Sequence, residues 1–383
     1  MKKNIILLFL LICFSLLSRA QSRTEAMGVI DSLTSTFFYG RGYTKNGMRK
    51  AAEYLKAKFK HIGIAPLGSN YLQDFSFPVN TFPDDMTVQI NQNELIPGKD
   101  FLVSAESKGL NSDGILVKVD SNTFINQEQR LMIKLETKLT WSVSKEEADY
   151  TTILIRKKAV TSDPTNFVIN VKNKFVTNFR ASNLCGLIKG TRYPDSIIFI
   201  TAHYDHLGGM GNSTYFPGAN DNASGIALLL SLAKYYSKNR PAFSIAFICF
   251  AGEEAGLIGS KYFAEHPLCD LKNIKFLVNI DLVGTGEEGI TVVNGKIYER
   301  EFQSLININN QFKYVTAVNS RGKAANSDHY WFTEKGVPAF FIYTLGGIKA
   351  YHDVFDKSDT LPLTEFDDLQ KLLIKFNNKL MQN

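Results

Sequence analysis

Histidine and acidic side chains that could bind metal follow four apolar segments of the chain. The segments and the groups after them are residues 197–201 with His203, 243–250 with Glu253 and Glu254, 275–280 with Asp281, and 338–343 with His352 beyond a glycine pair. In an open α/β sheet, ligands bind at the carboxyl ends of the strands. If these segments are neighbouring parallel strands, all four groups meet at one edge of the sheet.

Asp221 adds a further carboxylate, just before the apolar helix predicted at residues 222–238. Its two oxygens could link two metal ions. Imidazoles and carboxylates without a thiolate suit zinc, and manganese or cobalt less specifically. Two ions held in this way lie about 3.5–4 Å apart and can activate a water molecule. The pattern predicts two metal sites, each with one histidine, one terminal carboxylate and a share of Asp221.

The doublet of Glu253 and Glu254 predicts a different role for each glutamate. Neighbouring residues after a strand point in different directions. One glutamate can therefore bind metal while the other faces the water as a general base.

Each of these elements also has a structural interpretation when it is taken alone. A His-x-Asp pair such as His203 and Asp205 is commonly a surface or structural pair, and a Glu-Glu doublet commonly faces solvent. Asp221 could instead cap the helix that follows it. The placement of four of the five predicted ligands at the ends of successive strands favours a metal centre over these structural interpretations.

Two other histidines receive structural interpretations. His206 is expected to lie beside the site without being a ligand. His329 follows Ser327 and Asp328, either of which would cap the helix predicted at residues 327–335. We therefore expect His329 to be structural.

At these residues the sequence resembles the co-catalytic zinc exopeptidases of the bacterial leucyl aminopeptidase and glutamate carboxypeptidase type. The resemblance covers about half of the chain, residues 183–360. Its motifs are Ala-His-Tyr-Asp-His-Leu-Gly at 202–208, Gly-Ala-Asn-Asp-Asn-Ala-Ser-Gly at 218–225, Gly-Glu-Glu-Ala-Gly-Leu-Ile-Gly-Ser at 252–260, Asn-Ile-Asp at 279–281 and Tyr-His at 351–352.

The resemblance implies which residues hold each of two zinc ions. His203 and Asp281 would bind one ion, and Glu254 and His352 would bind the other. Asp221 would bridge the two ions.

The resemblance also implies three catalytic roles. Asp205 would hydrogen-bond His203 and fix its tautomer. Glu253 would take a proton from the attacking water and pass it to the leaving amine. Tyr351 would steady the oxyanion of the tetrahedral intermediate.

These roles predict an exported zinc-dependent exopeptidase, most simply an aminopeptidase acting on peptides. A carboxypeptidase or dipeptidase could use the same site, with Arg321 or Arg192 as candidates for binding a terminal carboxylate. A single-zinc glutaminyl cyclase is a further alternative on the same fold. A non-catalytic binding protein on a degenerate peptidase scaffold would be expected to lack ligands, and none of the expected ones is missing.

The pattern along the chain predicts an α/β fold with a mixed, largely parallel sheet flanked by helices on both faces. We expect a signal peptide at residues 1–20, an N-terminal part of the catalytic domain at 21–83, a small β-rich insert at 84–176 and the catalytic domain at 177–383. The insert lies where many relatives carry a protease-associated domain. Residues 24–63 are expected to be helical, and one helix is expected near 126–136.

The N-terminal segment predicts export. Lys2 and Lys3 precede an apolar run at residues 5–17, and small residues surround a cleavage site after Ala20. A membrane span needs about 20 apolar residues, so we expect a cleaved signal rather than an anchor, and a periplasmic or secreted protein. The chain has 43 basic and 37 acidic residues, and the basic ones form no long tract. This weak charge balance argues against nucleic acid as a partner. The sequence leaves the oligomeric state open.

Overall fold

A computed structural model describes residues 23–382, so the predicted signal peptide at residues 1–20 lies outside the described part of the chain. The helices are α1 (residues 23–34), α2 (Gly47–Ile62), α3 (Gly225–Lys238), α4 (Ile258–Glu265), α5 (Glu299–Phe312), α6 (His329–Glu334) and α7 (Phe366–Leu380). Short helical turns lie at Tyr39–Arg41, Lys157–Ala159, Ala219–Ser224, Leu271–Asn273 and Ser358–Thr360. Within residues 23–382, no helix combines the length and apolar character that crossing a membrane requires.

The strands fall into three groups along the chain. The first group is β1 (Ala65–Pro66) and β2 (Leu72–Thr81). The second is β3 (Thr87–Ile90), β4 (Asn93–Glu94), β5 (Phe101–Val103), β6 (Leu110–Ile115), β7 (Val117–Lys118), β8 (Thr123–Asn126), β9 (Leu131–Glu136), β10 (Thr151–Arg156) and β11 (Asn166–Val171). The third is β12 (Lys174–Ile188), β13 (Tyr193–His203), β14 (Gly209–Met210), β15 (Thr214–Tyr215), β16 (Phe243–Phe250), β17 (Ile274–Ile280), β18 (Gly289–Val293), β19 (Val318–Ser320) and β20 (Ala339–Leu345).

A nine-stranded sheet forms the centre of the protein, in the order β1-β12-β16-β13-β17-β20-β18-β19, with β2 paired to β12. Its middle strands, β16, β13, β17 and β20, run parallel to one another. The outer pairs β12–β16 and β18–β20 are antiparallel. The predicted mixed, largely parallel sheet is confirmed.

Helices cover both faces of this sheet. Because neighbouring side chains of a strand point to opposite sides, each strand contributes to a core on either face. On β13, Phe199 packs against Phe263 of α4 and Phe332 of α6. The next residue, Ile200, belongs to the larger core on the other face, which contains the leucines of α3 and α7. Continuous apolar strands of this kind are typical of a sheet buried on both faces.

The second group of strands forms two small sheets apart from the central one. Their orders are β5-β10-β9-β8-β7 and β4-β3-β11-β6. The helix predicted near 126–136 is wrong, since β9 pairs with β8 and β10 there. The segment is rich in helix-forming residues, but Leu131 and Ile133 alternate into the core, and this packing overrides the propensity.

The prediction of helix across residues 24–63 is only partly confirmed. α1 and α2 are separated at residues 35–46 by turns that include Gly40, whose φ is +67°. A Cβ at Gly40 would lie 2.3 Å from the Gly208 oxygen, so this turn needs glycine to approach the neighbouring loop. The second helix, α2, buries Met48, Leu55 and Phe59 on one face and has Gly63 as its C-cap residue.

Candidate metal centre

The four parallel middle strands deliver the predicted ligands to one edge of the sheet. β13 ends at His203, and the loop after β16 carries Glu253 and Glu254. Asp281 follows β17 directly, and the loop after β20 leads to His352. The side chains meet because the carboxyl ends of these neighbouring strands lie side by side.

Asp221 lies between two histidines and directs one carboxylate oxygen at each. Its Oδ1 is 3.3 Å from Nε2 of His203, which also lies 3.3 Å from Oδ1 of Asp281. Its Oδ2 is 3.1 Å from Nε2 of His352, which also lies 3.1 Å from Oε2 of Glu254. The five predicted ligands therefore form two trios, each of one imidazole and two carboxylates, that share Asp221.

The trios fit zinc in spacing and in chemistry. Tetrahedral zinc ligands about 2.0–2.2 Å from the ion lie roughly 3.3–3.5 Å from one another, close to the distances found here. His203 Nε2 and Asp281 Oδ1 are buried without a hydrogen-bond partner. Buried polar atoms are rarely left unpaired, and a cation between them would satisfy both. Metal binding by these residues stays a prediction.

The charges in the trio of His352 reinforce one another. Burial lowers the pKa of His352, but the carboxylates of Glu254 and Asp221 outweigh it and raise that pKa to about 11. Burial and Asp221 raise the pKa of Glu254, but His352 and His206 together bring it down to about 2. Burial raises the pKa of Asp221, but the nearby imidazoles of His203, His352 and His206 outweigh it and bring that pKa well below its usual value. Both carboxylates of this trio are therefore ionised at neutral pH, as metal ligands must be.

Asp205 orients His203 differently from the prediction. The Nδ1 atom of His203 lies 3.1 Å from the backbone oxygen of Asp205 but 3.8 Å from its carboxylate, which is too far for a hydrogen bond. The carboxylate instead accepts hydrogen bonds from Tyr43 Oη and from the backbone N–H groups of Glu253 and Glu254. Asp205 therefore orients His203 through its main chain and holds the Glu253-Glu254 turn through its side chain.

His206 and Ser327 also contact the predicted ligands. His206 Nδ1 lies 2.7 Å from Oε1 of Glu254, which places His206 beside the site as expected. Ser327 donates to Oδ2 of Asp281, so it orients a ligand. Asp328 is the N-cap residue of α6, one of the two predicted positions, but its side chain makes no capping hydrogen bond. His329 is buried without reaching the trios.

Arg41 supports the loop of Asp221, a role that no sequence motif predicts. It is fully buried, and its guanidinium donates hydrogen bonds to five backbone oxygens. Three of the acceptors lie in the loop that carries the shared carboxylate, namely Pro217, Gly218 and Asp221. The others belong to Leu33 and Tyr204. A lone arginine gives no pattern in the sequence, although the glycines on either side of it indicate a tight turn.

Asp356 holds the same loop from the opposite direction. It is fully buried, and its carboxylate accepts hydrogen bonds from the backbone N–H groups of Asn220 and Asp221 at 2.9 and 3.0 Å. Burial raises the pKa of Asp356 to about 6, and these hydrogen bonds oppose that rise. Arg41 and Asp356 together fix the main chain from which Asp221 projects.

Glu253 and Tyr351 lie along a cavity of about 390 Å³ beside the trios. A carboxylate oxygen of Glu253 is within 4.8 Å of ligand atoms of His203 and Asp281. Burial, together with the carboxylates of Glu254 and Asp328, raises the pKa of Glu253 well above its usual value. The ring of Tyr351 stacks on His352 with centroids 3.9 Å apart. The catalytic roles of both residues stay predictions.

Comparisons with known proteins identify the fold class first. A zinc aminopeptidase from Bacillus subtilis matches with a TM-score of 0.69 at 18% identity, over 93% of this chain and 94% of that one. An aminopeptidase from Aneurinibacillus sp. strain AM-1 matches with a TM-score of 0.66 at 19% identity, over 93% of both chains. Likeness at this identity shows a common fold, the aminopeptidase-like α/β fold.

The sequence then identifies the family. Residues 183–377 match the sequence profile of peptidase family M28. This is half of the chain, and the chain belongs to that family.

Curated relatives match over shorter stretches. Aminopeptidase YwaD of Bacillus subtilis is 32% identical over 190 residues, which are 45% of this chain and 38% of that protein. A probable zinc metalloprotease of Pyricularia oryzae is 35% identical over 127 residues, which are 32% of this chain and 25% of that protein. This chain therefore matches between a quarter and about two-fifths of the length of these relatives.

Replacement of Arg41 is expected to weaken the fold and loosen the loop of Asp221 together. Lysine cannot reach five acceptors, so Arg41→Lys leaves buried carbonyl groups unpaired and should lower the free energy of unfolding by roughly 3 kcal/mol. Urea denaturation of the metal-free protein measures this. Arg49 is an exposed arginine close to Arg41 in the sequence, so Arg49→Lys is the matched control. This control variant should leave the unfolding midpoint unchanged. Equal stability of the two variants would contradict the role given to Arg41.

Proposed function

We propose that this protein is an exported aminopeptidase that uses two zinc ions and removes N-terminal residues from peptides. The observation that carries the proposal is the pair of trios sharing Asp221, since each trio offers one imidazole and two carboxylate oxygens. Membership of peptidase family M28 and likeness to zinc aminopeptidases support it. A single-zinc cyclase would need only one such trio.

Two bound zinc ions would supply Lewis-acid chemistry, polarising a peptide carbonyl and activating a water molecule. The protein's own part is to hold the ligands in place before the substrate arrives. His203 is oriented through its Nδ1 atom by the Asp205 carbonyl, and Asp281 by the Ser327 hydroxyl. Fixed dipoles and fixed ligands need no rearrangement during the reaction.

Glu253 is the group placed to move the proton. Burial raises the pKa of Glu253 well above its usual value, which makes its carboxylate a stronger proton acceptor, as a general base requires. It would accept the proton of the attacking water and deliver it to the nitrogen of the leaving amine. The Asp205 carboxylate accepts a hydrogen bond from the backbone N–H of Glu253 and so fixes the main chain from which the Glu253 side chain projects.

The lining of the cavity favours a substrate with a free amine. Its ionisable side chains are acids, histidines and tyrosines, and no lysine or arginine among the described residues lines it. An ammonium group would meet carboxylates there, whereas no lysine or arginine side chain of the described lining could pair with a terminal carboxylate. Arg321 donates to the hydroxyl of Tyr343, a lining residue, and Arg192 lies in a separate cavity near Phe243 at the start of β16. The position of Arg192 weighs against a role in binding a terminal carboxylate, whereas Arg321 reaches the cavity only through the Tyr343 hydroxyl.

Much of the rest of the wall is apolar. Leu257, Leu282 and Phe341 line the same cavity as the trios. Their side chains suit an apolar first residue of the substrate, because apolar walls exclude water from such a side chain. Tyr351, at the same cavity, would stabilise the oxyanion through its hydroxyl.

Export to the periplasm or beyond is part of the proposal and rests on residues 1–20. The positively charged start, the apolar run and the small residues near Ala20 support a cleaved signal. The mature chain is then expected to begin at Gln21. Mass spectrometry of the N-terminal peptide, from protein expressed with its full sequence, checks this, and an intact Met1 in the exported fraction would contradict it.

Replacement of Glu253 should separate catalysis from metal binding. Glu253→Gln keeps the size of the side chain but cannot accept the proton, so kcat should fall by about 10²–10⁴-fold. Zinc content, measured on the same sample, should stay at two ions per chain. Glu265→Gln, an exposed glutamate on α4, is the control and should keep both activity and metal. Loss of zinc in Glu253→Gln would instead make Glu253 a ligand.

Blocking the substrate amine tests the direction of cleavage. Aminoacyl and dipeptidyl substrates with a free amine should be hydrolysed, and their N-acetylated forms should react at least about 100-fold more slowly, since the carboxylates lose their ammonium partner. Peptides with an amidated C-terminus should still be cleaved. Cleavage that requires a free C-terminal carboxylate would indicate a carboxypeptidase, and cyclisation of N-terminal glutamine without cleavage would indicate a cyclase.

A further inference from the structure

The loop between β9 and β10, in the small-sheet region, contacts the loop that carries His352. The backbone N–H of Trp141 donates to the backbone oxygen of His352 at 2.9 Å. In return, Nδ1 of the His352 ring lies 3.1 Å from the backbone oxygen of Trp141. The two residues therefore hold each other by a reciprocal pair of hydrogen bonds, one of which involves the predicted ligand's imidazole.

The Trp141 side chain fixes the position of that carbonyl from two sides. It is only 6% exposed, and its indole Nε1–H donates to the backbone oxygen of Val103 on β5 at 2.7 Å. Its ring stacks on Phe216, which belongs to the loop before Asp221, with centroids 4.7 Å apart and planes at 18°. Trp141 thus joins a small sheet to the loop of the shared carboxylate.

A second contact braces the same loop. The ammonium group of Lys138 donates to the backbone oxygen of Lys349 at 3.1 Å and lies 3.8 Å from Oδ2 of Asp353. Lys349 and Asp353 flank His352 along the chain. The segment from Lys138 to Trp141 therefore holds the His352 loop at three points.

The hydrogen bond to Trp141 decides which ring nitrogen of His352 is free. When Nδ1 donates its proton to a carbonyl, the lone pair of the neutral ring is left on Nε2, the atom that binds a metal. Nε2 is the atom that faces Asp221 and Glu254. The carbonyl of Trp141 therefore selects the tautomer that a metal ligand requires and fixes the plane of the ring.

The two histidines of the trios differ in the origin of this support. His203 is oriented by the carbonyl of Asp205, two residues away at the same strand end. His352 is oriented by a residue 211 positions earlier in the chain. Arg41 and Asp356 hold the backbone of the shared Asp221 independently of Trp141. Disturbing Trp141 should therefore affect the trio of His352 and leave that of His203 intact.

We propose that Trp141 is a positioning residue for the metal centre, and that the β-rich insert thereby controls the affinity of the site formed by Glu254 and His352. The proposal rests on the proposed function, in which the two trios hold zinc. Partners that orient a ligand histidine typically change metal affinity by about 10–100-fold when they are lost. The site of His203 and Asp281 keeps its own local support and should be unaffected.

Zinc titration of the full mature chain against a competing chelator tests this without relying on activity. Wild-type protein is expected to bind two ions in resolvable steps. Trp141→Ala should bind one ion with unchanged affinity and the other about 10–100-fold more weakly. Trp141→Phe keeps an aromatic ring to stack on Phe216 and should recover most of the lost affinity.

Variants on both sides of the contact separate positioning from general damage. Phe216→Ala removes the stacking partner and should reproduce the selective loss, while the double variant should be no weaker than the weaker single one, because both act through one contact. Phe124→Ala is the control. Phe124 is a buried aromatic on β8, in the same small sheet as β5 but three strands away from it. The Phe124→Ala variant should bind both zinc ions with wild-type affinity.

The outcomes distinguish this proposal from the proposed function. If Trp141→Ala and Phe216→Ala bind both ions with wild-type affinity, the role of Trp141 is overturned and the proposed function stands. If Phe124→Ala loses the same ion to the same extent, the effect is general destabilisation and the role is also overturned. If the wild-type chain binds no zinc, the proposed function fails and the role of Trp141 fails with it.

Discussion

The shared carboxylate of Asp221 is the constraint on which the rest of the site depends. Its two oxygens face two histidines that lie far apart in the sequence, His203 and His352. Any movement of the Asp221 backbone therefore changes both trios at once. The protein accordingly holds that backbone from two directions. Arg41 binds the carbonyl groups of the loop, and Asp356 binds its N–H groups. Support of this kind keeps a site within the small tolerance that catalysis needs.

The site also concentrates negative charge in the interior. Asp205, Asp221, Asp281, Asp328 and Asp356 are all buried, and Arg41 is the only buried lysine or arginine within residues 23–382. Burying carboxylates without compensation destabilises a fold. Hydrogen bonds from backbone N–H groups and the three nearby imidazoles relieve part of this cost. Two divalent cations would relieve the remainder, which explains how a fold can maintain such a cluster.

The segment that forms the two small sheets, predicted as an insert, contacts the central sheet at its two ends and the His352 loop near its middle. It begins after β2 and ends before β12, and these two strands pair, so that Thr81 lies opposite Lys174. A third attachment comes from Trp141. The insert contributes to the site through a backbone carbonyl, which every residue possesses. For that reason no motif within the insert indicates chemistry, and only the position of Trp141 against His352 gives it a role.

The amino-acid sequence by itself determined the parts of this protein that depend on residue type and local period. Apolar runs predicted the four parallel strands, and the residues after each run predicted His203, Glu254, Asp281 and His352 at one edge. The strands and the meeting of these side chains at one edge are confirmed, because a buried parallel strand requires an apolar run and the carboxyl ends of neighbouring parallel strands lie side by side. Metal binding by these residues stays a prediction. Local propensity failed where packing opposed it, as at β9.

Tertiary structure alone decided the rest. Arg41, Asp356 and Trp141 act on or through backbone atoms that lie far away in the sequence, and such contacts leave no pattern of residue types. The orientation of His203 by a carbonyl rather than a carboxylate is a further example. A sequence can specify which groups are able to bind metal. Which nitrogen of each histidine faces the site is set by main-chain geometry, and that geometry exists only once the chain has folded.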